Sequence, residues 1–386
     1  MKLPEINYWI TNMLESYDKV SDLNFTVGKP LQVETSGQLV SIPISPEINE
    51  LTPFQTESVA LNLIQGNQRL LDDLAQHGSC DLSHTLGNKA RFRVNVFTQQ
   101  GHYSIVMRKM ENVVPTIKSL HLPEVFNKMT DEINGFILVT GATGSGKTTT
   151  LAALCDKINK ERMVHVVTLE DPIEFVHPHR QSTFNQRELG NDFDTFANGL
   201  RAALRQAPKV ILVGEMRDRE TMEIGMTAAE TGHLVMSTLH TVDAGQTINR
   251  ILGFFEQEEQ PQVRNRLIDT IRYVVCQRLL PKEGGDRVAA FEIMGNNLRV
   301  RDLILHGESE DKTFYDIIED GSARGMQTFD QHILELYENG LISEETAMVY
   351  ASRKSAIGRG LDRIKAARGE STTGITGLAM KKKETH

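Results

Sequence analysis

Residues 141–154 read GATGSGKTTTLAAL, placing three glycines within six positions and then a lysine and three threonines. Glycine weakens the interior of helices and strands, so such a cluster marks backbone that must turn sharply or lie close to something else. The apolar run GFILVT (135–140) precedes it and KTTTLAALCDKINK (147–160) follows, a strand leading through a bare loop into a helix. Gly141, Ala142, Thr143, Gly144, Ser145, Gly146, Lys147 and Thr148 fit GxxxxGK[ST], the phosphate-binding loop. Its N–H groups and the helix N-terminus form an anion nest. Lys147 is positioned for β- and γ-phosphates, Thr148 for a Mg²⁺ ion, and Thr149 completes the candidate nucleotide-binding set. A chain with this unit is constrained to a parallel sheet with crossover helices.

The chain meets that constraint from residue 135 onward. MVHVVTLE (163–170), KVILVGE (209–215) and HLVMSTLH (233–240) are further short apolar runs suited to buried strands, with TFANGLRAALRQA (195–207) a helix between them. Open α/β sheets bind ligands beyond the carboxyl ends of their strands. Those ends carry Glu170-Asp171-Pro172 with Glu174 close behind, Gly214-Glu215, and His240; His233 stands at the start of its strand. Glu215 is the candidate to orient or deprotonate an attacking water, Glu170 and Asp171 to act around Mg²⁺, and His240 to contact the γ-phosphate. Lys209 occupies the position five residues before the glycine of Gly-Glu where an acidic residue is usual, which shifts metal duty toward Thr148 and Glu170.

Residues 1–110 show a different texture. Short alternating segments at 22–28, 31–40 and 90–110, the last turning at Gln99-Gln100-Gly101, accompany helical segments near 4–17 and 53–76, giving a small α+β domain. Two prolines and little periodicity make 111–124 a linker to a domain over 125–365. After 245 the patterns QVRNRLIDTIRYVVCQRLL (262–280) and TFDQHILELYEN (328–339) predict an α-helical end, and 366–386 a disordered basic tail. The net charge of −9 is uneven: residues 353–386 carry about +6, leaving about −15 elsewhere. An acidic core with one Trp argues against nucleic-acid binding, and no lid rich in Arg suggests a small-molecule kinase. Cys80, Cys155 and Cys276 are far apart, which excludes a zinc ribbon or disulfide framework. No apolar run reaches the ~20 residues of a membrane span and the N-terminus has no signal-peptide pattern, so a cytosolic protein is expected.

Taken together, SDLNFTVGKPLQV (21–33), TLEDPIEF (168–175), VGEMRDRET (213–221), TAAETGHLVMSTLHT (227–241) and GMQTFDQ (325–331) resemble the motifs of the PilT-type retraction ATPases of type IV pili, within the secretion ATPase superfamily. The resemblance covers about residues 1–350; in RVRDLI (299–304) only Arg301, Leu303 and Ile304 of an AIRNLI-like box remain. It implies a PAS-like N-terminal domain, a RecA-like core, a homohexameric ring and ATP with Mg²⁺ between the domains. It also implies arginines from the N-terminal part at the phosphates, here Arg91, Arg93 and Arg108. The first two share one face of a strand. The expected activity is ATP hydrolysis that powers pilus retraction and twitching motility, at the inner face of the cytoplasmic membrane, on an inner-membrane platform protein. The lack of CxxC pairs favours retraction over the pilus assembly and type II secretion ATPases. A PilU-like accessory ATPase, dependent on a paralogous retraction ATPase, is the alternative.

Overall fold

The structure is a computed structural model that describes residues 1–110 and 113–370. Residues 111–112 of the expected linker and 371–386 of the expected tail lie outside the described residues.

The first domain runs α1 (Leu3–Glu15), β1 (Val20–Phe25), β2 (Gln32–Thr35), β3 (Gln38–Ser41), α2 (Pro53–Ile64), α3 (Gln68–His77), β4 (Ser79–Leu86), β5 (Ala90–Gln99) and β6 (His102–Lys109). Its six strands form an antiparallel sheet in the order β3-β2-β1-β6-β5-β4. Strand alternation does the sorting: Ala90, Phe92, Val94 and Val96 are buried under the helices, while Arg91, Arg93 and Asn95 point to the other face. The helix expected over 53–76 is two helices. Gln65 and Gly66 adopt left-handed backbone, and Asn67 then caps α3 by accepting from the Leu70 N–H.

The second domain comprises α4 (Val125–Met129), β7 (Gly135–Thr140), α5 (Lys147–Glu161), β8 (His165–Glu170), β9 (Thr183–Glu188), α6 (Phe196–Ala203), β10 (Val210–Val213), α7 (Arg219–Glu230) and β11 (Leu234–Leu239). It continues with α8 (Ala244–Leu252), α9 (Gln260–Thr270), β12 (Ile271–Pro281), β13 (Arg287–Gly295), α10 (Leu298–His306), α11 (Phe314–Glu319), α12 (Phe329–Glu338), α13 (Glu344–Tyr350) and α14 (Lys354–Arg368). Seven strands order as β13-β12-β7-β11-β10-β8-β9, parallel except for β13. β7 is buried at every position because helices cover both faces. Phe136 and Leu138 enter one core, and Ile137 and Val139 the other, where Leu151 and Leu154 of α5 meet them.

Two expectations are corrected here. The helix expected over 262–280 stops at Thr270, and Ile271–Pro281 is a strand paired parallel with β7 (Val274 opposite Leu138, Cys276 opposite Thr140) and antiparallel with β13. Residues 366–368, expected in the tail, belong instead to α14: it continues through Arg368, whose Nη2 donates to the carbonyls of Tyr337 and Glu338, and Gly369 closes the helix with left-handed backbone.

β13 also buries an acid. Glu292 is 4% exposed, and its Oε1 accepts from the Ala244 N–H at the start of α8. Burial pushes its pKa up to about 7, against the helix N–H, which favours the anion. With a folded pKa above the unfolded one, the contribution to stability is present at low pH and is lost as pH rises from the ordinary carboxylate range through 7. Glu292→Gln keeps an acceptor for Ala244 and removes the buried charge. Urea unfolding should show the variant more stable than the parent at pH 8 by about 1–3 kcal/mol, with the gain gone near pH 5.

Candidate nucleotide site between the domains

The loop 141–146 leaves the end of β7 and enters α5 at Lys147. Its conformation is fixed by what runs beside it. A Cβ at Gly141, where φ is 148°, would lie 2.4 Å from the carbonyl oxygen of Gln277, and one at Gly146 would lie 2.9 Å from the Gln277 side-chain nitrogen. Gln277 belongs to β12, and its Oε1 accepts from Thr150 Oγ1 at 2.8 Å, so this side chain braces both loop and helix. Lys147 is 8% exposed, and its ammonium donates to the loop's own carbonyls, Gly141 O at 2.9 Å and Ala142 O at 3.0 Å. Burial lowers its pKa, opposed by the charges of Glu215 and Glu174. Ser145 Oγ is buried with no protein partner.

The neighbouring strand ends supply acids. At the end of β8, Glu170 Oε1 accepts from Thr168 Oγ1 at 2.6 Å and from Gln186 Nε2 at 3.0 Å. Burial nevertheless pushes its pKa up to about 7, the two hydrogen bonds working the other way. Asp171 is raised by burial too, with Arg93 opposing. Glu174, on the strap after β8, faces the cleft beside Thr148, and burial raises its pKa, the Thr148 side chain working the other way. At the end of β10, Glu215 pairs with Arg217 at 2.5 Å and faces His240 Nε2 at 3.4 Å. Thr238 Oγ1 donates to Gly214 O at 2.6 Å, tying this turn to β11.

Lys147, Thr148, Glu170, Asp171, Glu174, Glu215 and His240 line one cleft of about 320 Å³, and Arg93 of β5 closes it from the first domain. A second space of about 610 Å³ shares Arg93, Thr143, Gly144 and Glu174 with it and extends past Thr149 to Asp22, Asn95 and Arg108. The site is thus split between the domains.

Other expected members lie elsewhere. His233 precedes β11 at the amino edge of the sheet, where Leu234 pairs with Gly135, whereas Leu239 pairs with Thr140 beside the loop. At ~3.3 Å per residue this puts His233 roughly a full six-residue strand length, about 20 Å, from the site. Its Nδ1 lies 3.0 Å from Ala228 O. Arg91 is spent on the strap: Nη1 donates to Ile173 O at 2.9 Å and Nη2 lies 3.6 Å from Glu188. Arg108 stands at the mouth of the larger space, its Nε on Asp22 Oδ1 at 2.9 Å. Lys209 is exposed at the amino edge, its N–H on His165 O, away from the carboxyl edge that holds the cleft. Sequence reasoning missed Gln186, Arg217 and Gln277, and gave no role to Glu174. The only signal for Glu174 was its place four residues after Glu170.

This donor set fits a magnesium nucleotide. The loop presents a cationic group and an unpartnered buried hydroxyl, and the close approach of β12 leaves no room for side chains at Gly141 and Gly146. Among the described residues no group of three or more His, Cys, Asp or Glu side chains converges as a self-sufficient metal cage. Mg²⁺ commonly uses one or two protein oxygens together with substrate phosphates, and the Thr148 hydroxyl with its nearby carboxylates are hard oxygen donors of that kind.

Comparison with known proteins agrees with this architecture. The family described as Type II/IV secretion system protein matches residues 60–367. The chain is 42% identical over 329 residues to the type IV pilus retraction ATPase PilT of Pseudomonas aeruginosa, covering 85% of this chain and 93% of that protein. It is 37% identical over 332 residues to the type IV pilus ATPase PilU of the same organism, covering 86% and 85%. The crystal structure of the pilus retraction motor PilT with bound ADP superposes with a TM-score of 0.81 at 39% identity, over 93% of this chain and 99% of that one.

Proposed function

This chain belongs to the Type II/IV secretion system protein family, on its PilT-type retraction ATPase branch, and from that premise we propose that its interdomain cleft hydrolyses ATP to ADP and phosphate to drive retraction of a type IV pilus. The observation that carries the reading is the convergence of Lys147, Thr148, Glu170 and Glu215 on one sheet edge, closed by Arg93 from the other domain.

Each residue then has a task. The loop amides and Lys147 hold the β- and γ-phosphates; in doing so the ammonium exchanges the Gly141 and Ala142 carbonyls for phosphate oxygens. The Thr148 hydroxyl, with Glu174, Glu170 and Asp171 around it, would hold a Mg²⁺ ion, which would supply neutralisation of phosphate charge. Glu215 accepts a hydrogen bond from the attacking water and takes its proton, while Arg217 and His240 fix the carboxylate's direction. Arg93 offsets charge that builds on the transferred phosphoryl group, and Arg108 serves the outer part of the nucleotide. Nucleotide exchange alters how the domains seat against each other across the linker. In a homohexameric ring that motion is delivered to an inner-membrane platform protein. The chain works at the inner face of the cytoplasmic membrane without spanning it, and among the described residues no helix is long and apolar enough to cross one.

Purified protein with Mg²⁺ and ATP tests this directly. Lys147→Ala should lower turnover by ~10²–10³-fold, the range for deleting one donor that stabilises developing charge. Turnover equal to the parent's would remove the assignment. In cells, a deletion strain should keep surface pili and lose twitching; bald cells would point to assembly instead.

A further inference from the structure

Glu188 is an acid that the hydrolytic scheme leaves without a task. It ends the edge strand β9, opposite Glu170 of β8, and is 5% exposed without lining the phosphate cleft. Its Oε1 accepts from Ser83 Oγ at 2.8 Å and Asn191 Nδ2 at 2.6 Å. Its Oε2 accepts from the Ile173 N–H at 3.2 Å and lies 3.6 Å from Arg91 Nη2. Arg91 Nη1 donates to Ile173 O at 2.9 Å. The ion pair therefore grips both polar groups of one residue: Glu188 takes the N–H of Ile173 and Arg91 takes its C=O. Ser83 and Arg91 belong to the first domain, Glu188 and Ile173 to the second. The next residue is Glu174, which lines the phosphate cleft together with Thr148.

We infer that Glu188 is a positioning residue for hydrolysis: with Arg91 and Ser83 it clamps the Ile173 backbone, so that the seating of the first domain decides where Glu174 stands beside Thr148. A buried ion pair by itself says little about function, because its desolvation cost offsets much of its attraction. Here the two charges come from different domains and converge on main chain one residue from the site. The side chain of Gln186, two residues back on the same strand, repeats the arrangement. It donates to Glu170 Oε1 and to Phe175 O, and its Oε1 accepts from the His177 N–H. Along 173–177 the strap is thus held at three points by β9, and only the Glu188 point also binds the first domain. This inference rests on the ATPase reading above.

The test uses the full-length chain. Glu188→Gln preserves shape but turns an NH₂ group toward donors that now have no acceptor. It should lower kcat by ~10–100-fold with KM for ATP changed less than about threefold, the signature of a misplaced rather than a missing group. Arg91→Met should do the same, and the double variant should be no worse than the poorer single, because the two act as a unit. Ser83→Ala, which removes one neutral hydrogen bond between the domains, should give a loss of about two- to fivefold. In nucleotide-free protein, hydrogen exchange at the Ile173 amide should quicken at least ~10-fold in Glu188→Gln while β7 amides stay protected. Turnover within twofold of the parent, losses that multiply in the double variant, or an unchanged Ile173 amide would each overturn the inference. If the parent itself hydrolyses no ATP, the ATPase reading fails, while Ile173 exchange still reports on the clamp.

Discussion

Glu215→Gln is expected to lower ATP turnover by ~10²–10⁴-fold, the range for losing a positioned general base, while ATP affinity stays within about threefold of the parent. The amide keeps the volume of the carboxylate and can still accept from Arg217, so the turn after β10 retains its shape. It cannot take a proton from water. Thr238 Oγ1 continues to hold Gly214 O, which anchors the same turn from β11. Single-turnover hydrolysis read beside binding of a fluorescent ATP analogue separates the two quantities. Lys147→Ala is the informative contrast, since the ammonium serves the phosphates both at rest and in transit, and both binding and turnover should suffer. Binding that collapses together with turnover in Glu215→Gln would place this carboxylate on the nucleotide or its metal instead of on water.

Gly141→Ala should cost the protein its nucleotide site altogether. The single added carbon would sit 2.4 Å from the carbonyl oxygen of Gln277 and 2.6 Å from Ser145 Oγ, at a backbone φ of 148°. The first neighbour is main chain of β12 in mid-sheet and cannot swing aside as a flexible side chain would. Relief must come from the loop, which then no longer presents its N–H groups as a nest. We expect nucleotide affinity to fall at least ~100-fold and stability to drop by about 2–4 kcal/mol, combining backbone strain with overpacking. Calorimetric titration with ADP and urea unfolding measure the two effects. ADP bound as tightly as by the parent would show that the loop is not shaped by β12.

How legible all this was depends on whether the deciding contact is local. The loop 141–148 and the strands at 135–140, 165–170, 210–213 and 234–239 could be read because each is a short apolar run punctuated by glycine or an acid. The stretch 262–280 could not. Its apolar residues at 263, 267, 268, 271, 274 and 275 suit a helical stripe throughout, and only pairing with β7, more than a hundred residues earlier, turns its second half into β12. Misreading it hid Gln277. Strand alternation put Arg91 and Arg93 on one face, as the structure does, but spacing along β5 says nothing about what approaches from the other domain. Arg93 faces the phosphate cleft, and Arg91 meets Glu188. His233 and His240 flank one strand, β11, and the direction of a parallel strand sends them to opposite edges.

The bracing of the phosphate loop by Gln277 has a mechanical corollary. β12 and its antiparallel partner β13 are also the floor on which the C-terminal helices rest, through Phe291, whose N–H is held by His332, and Arg278, stacked on Phe329. Tension on that helical block would reach the loop through Gln277, and coupling of this kind would be reciprocal. A motor built this way would grip its fuel differently when pulling against resistance than when running free, so its stall behaviour would be set at residue 277 as much as at the chemistry.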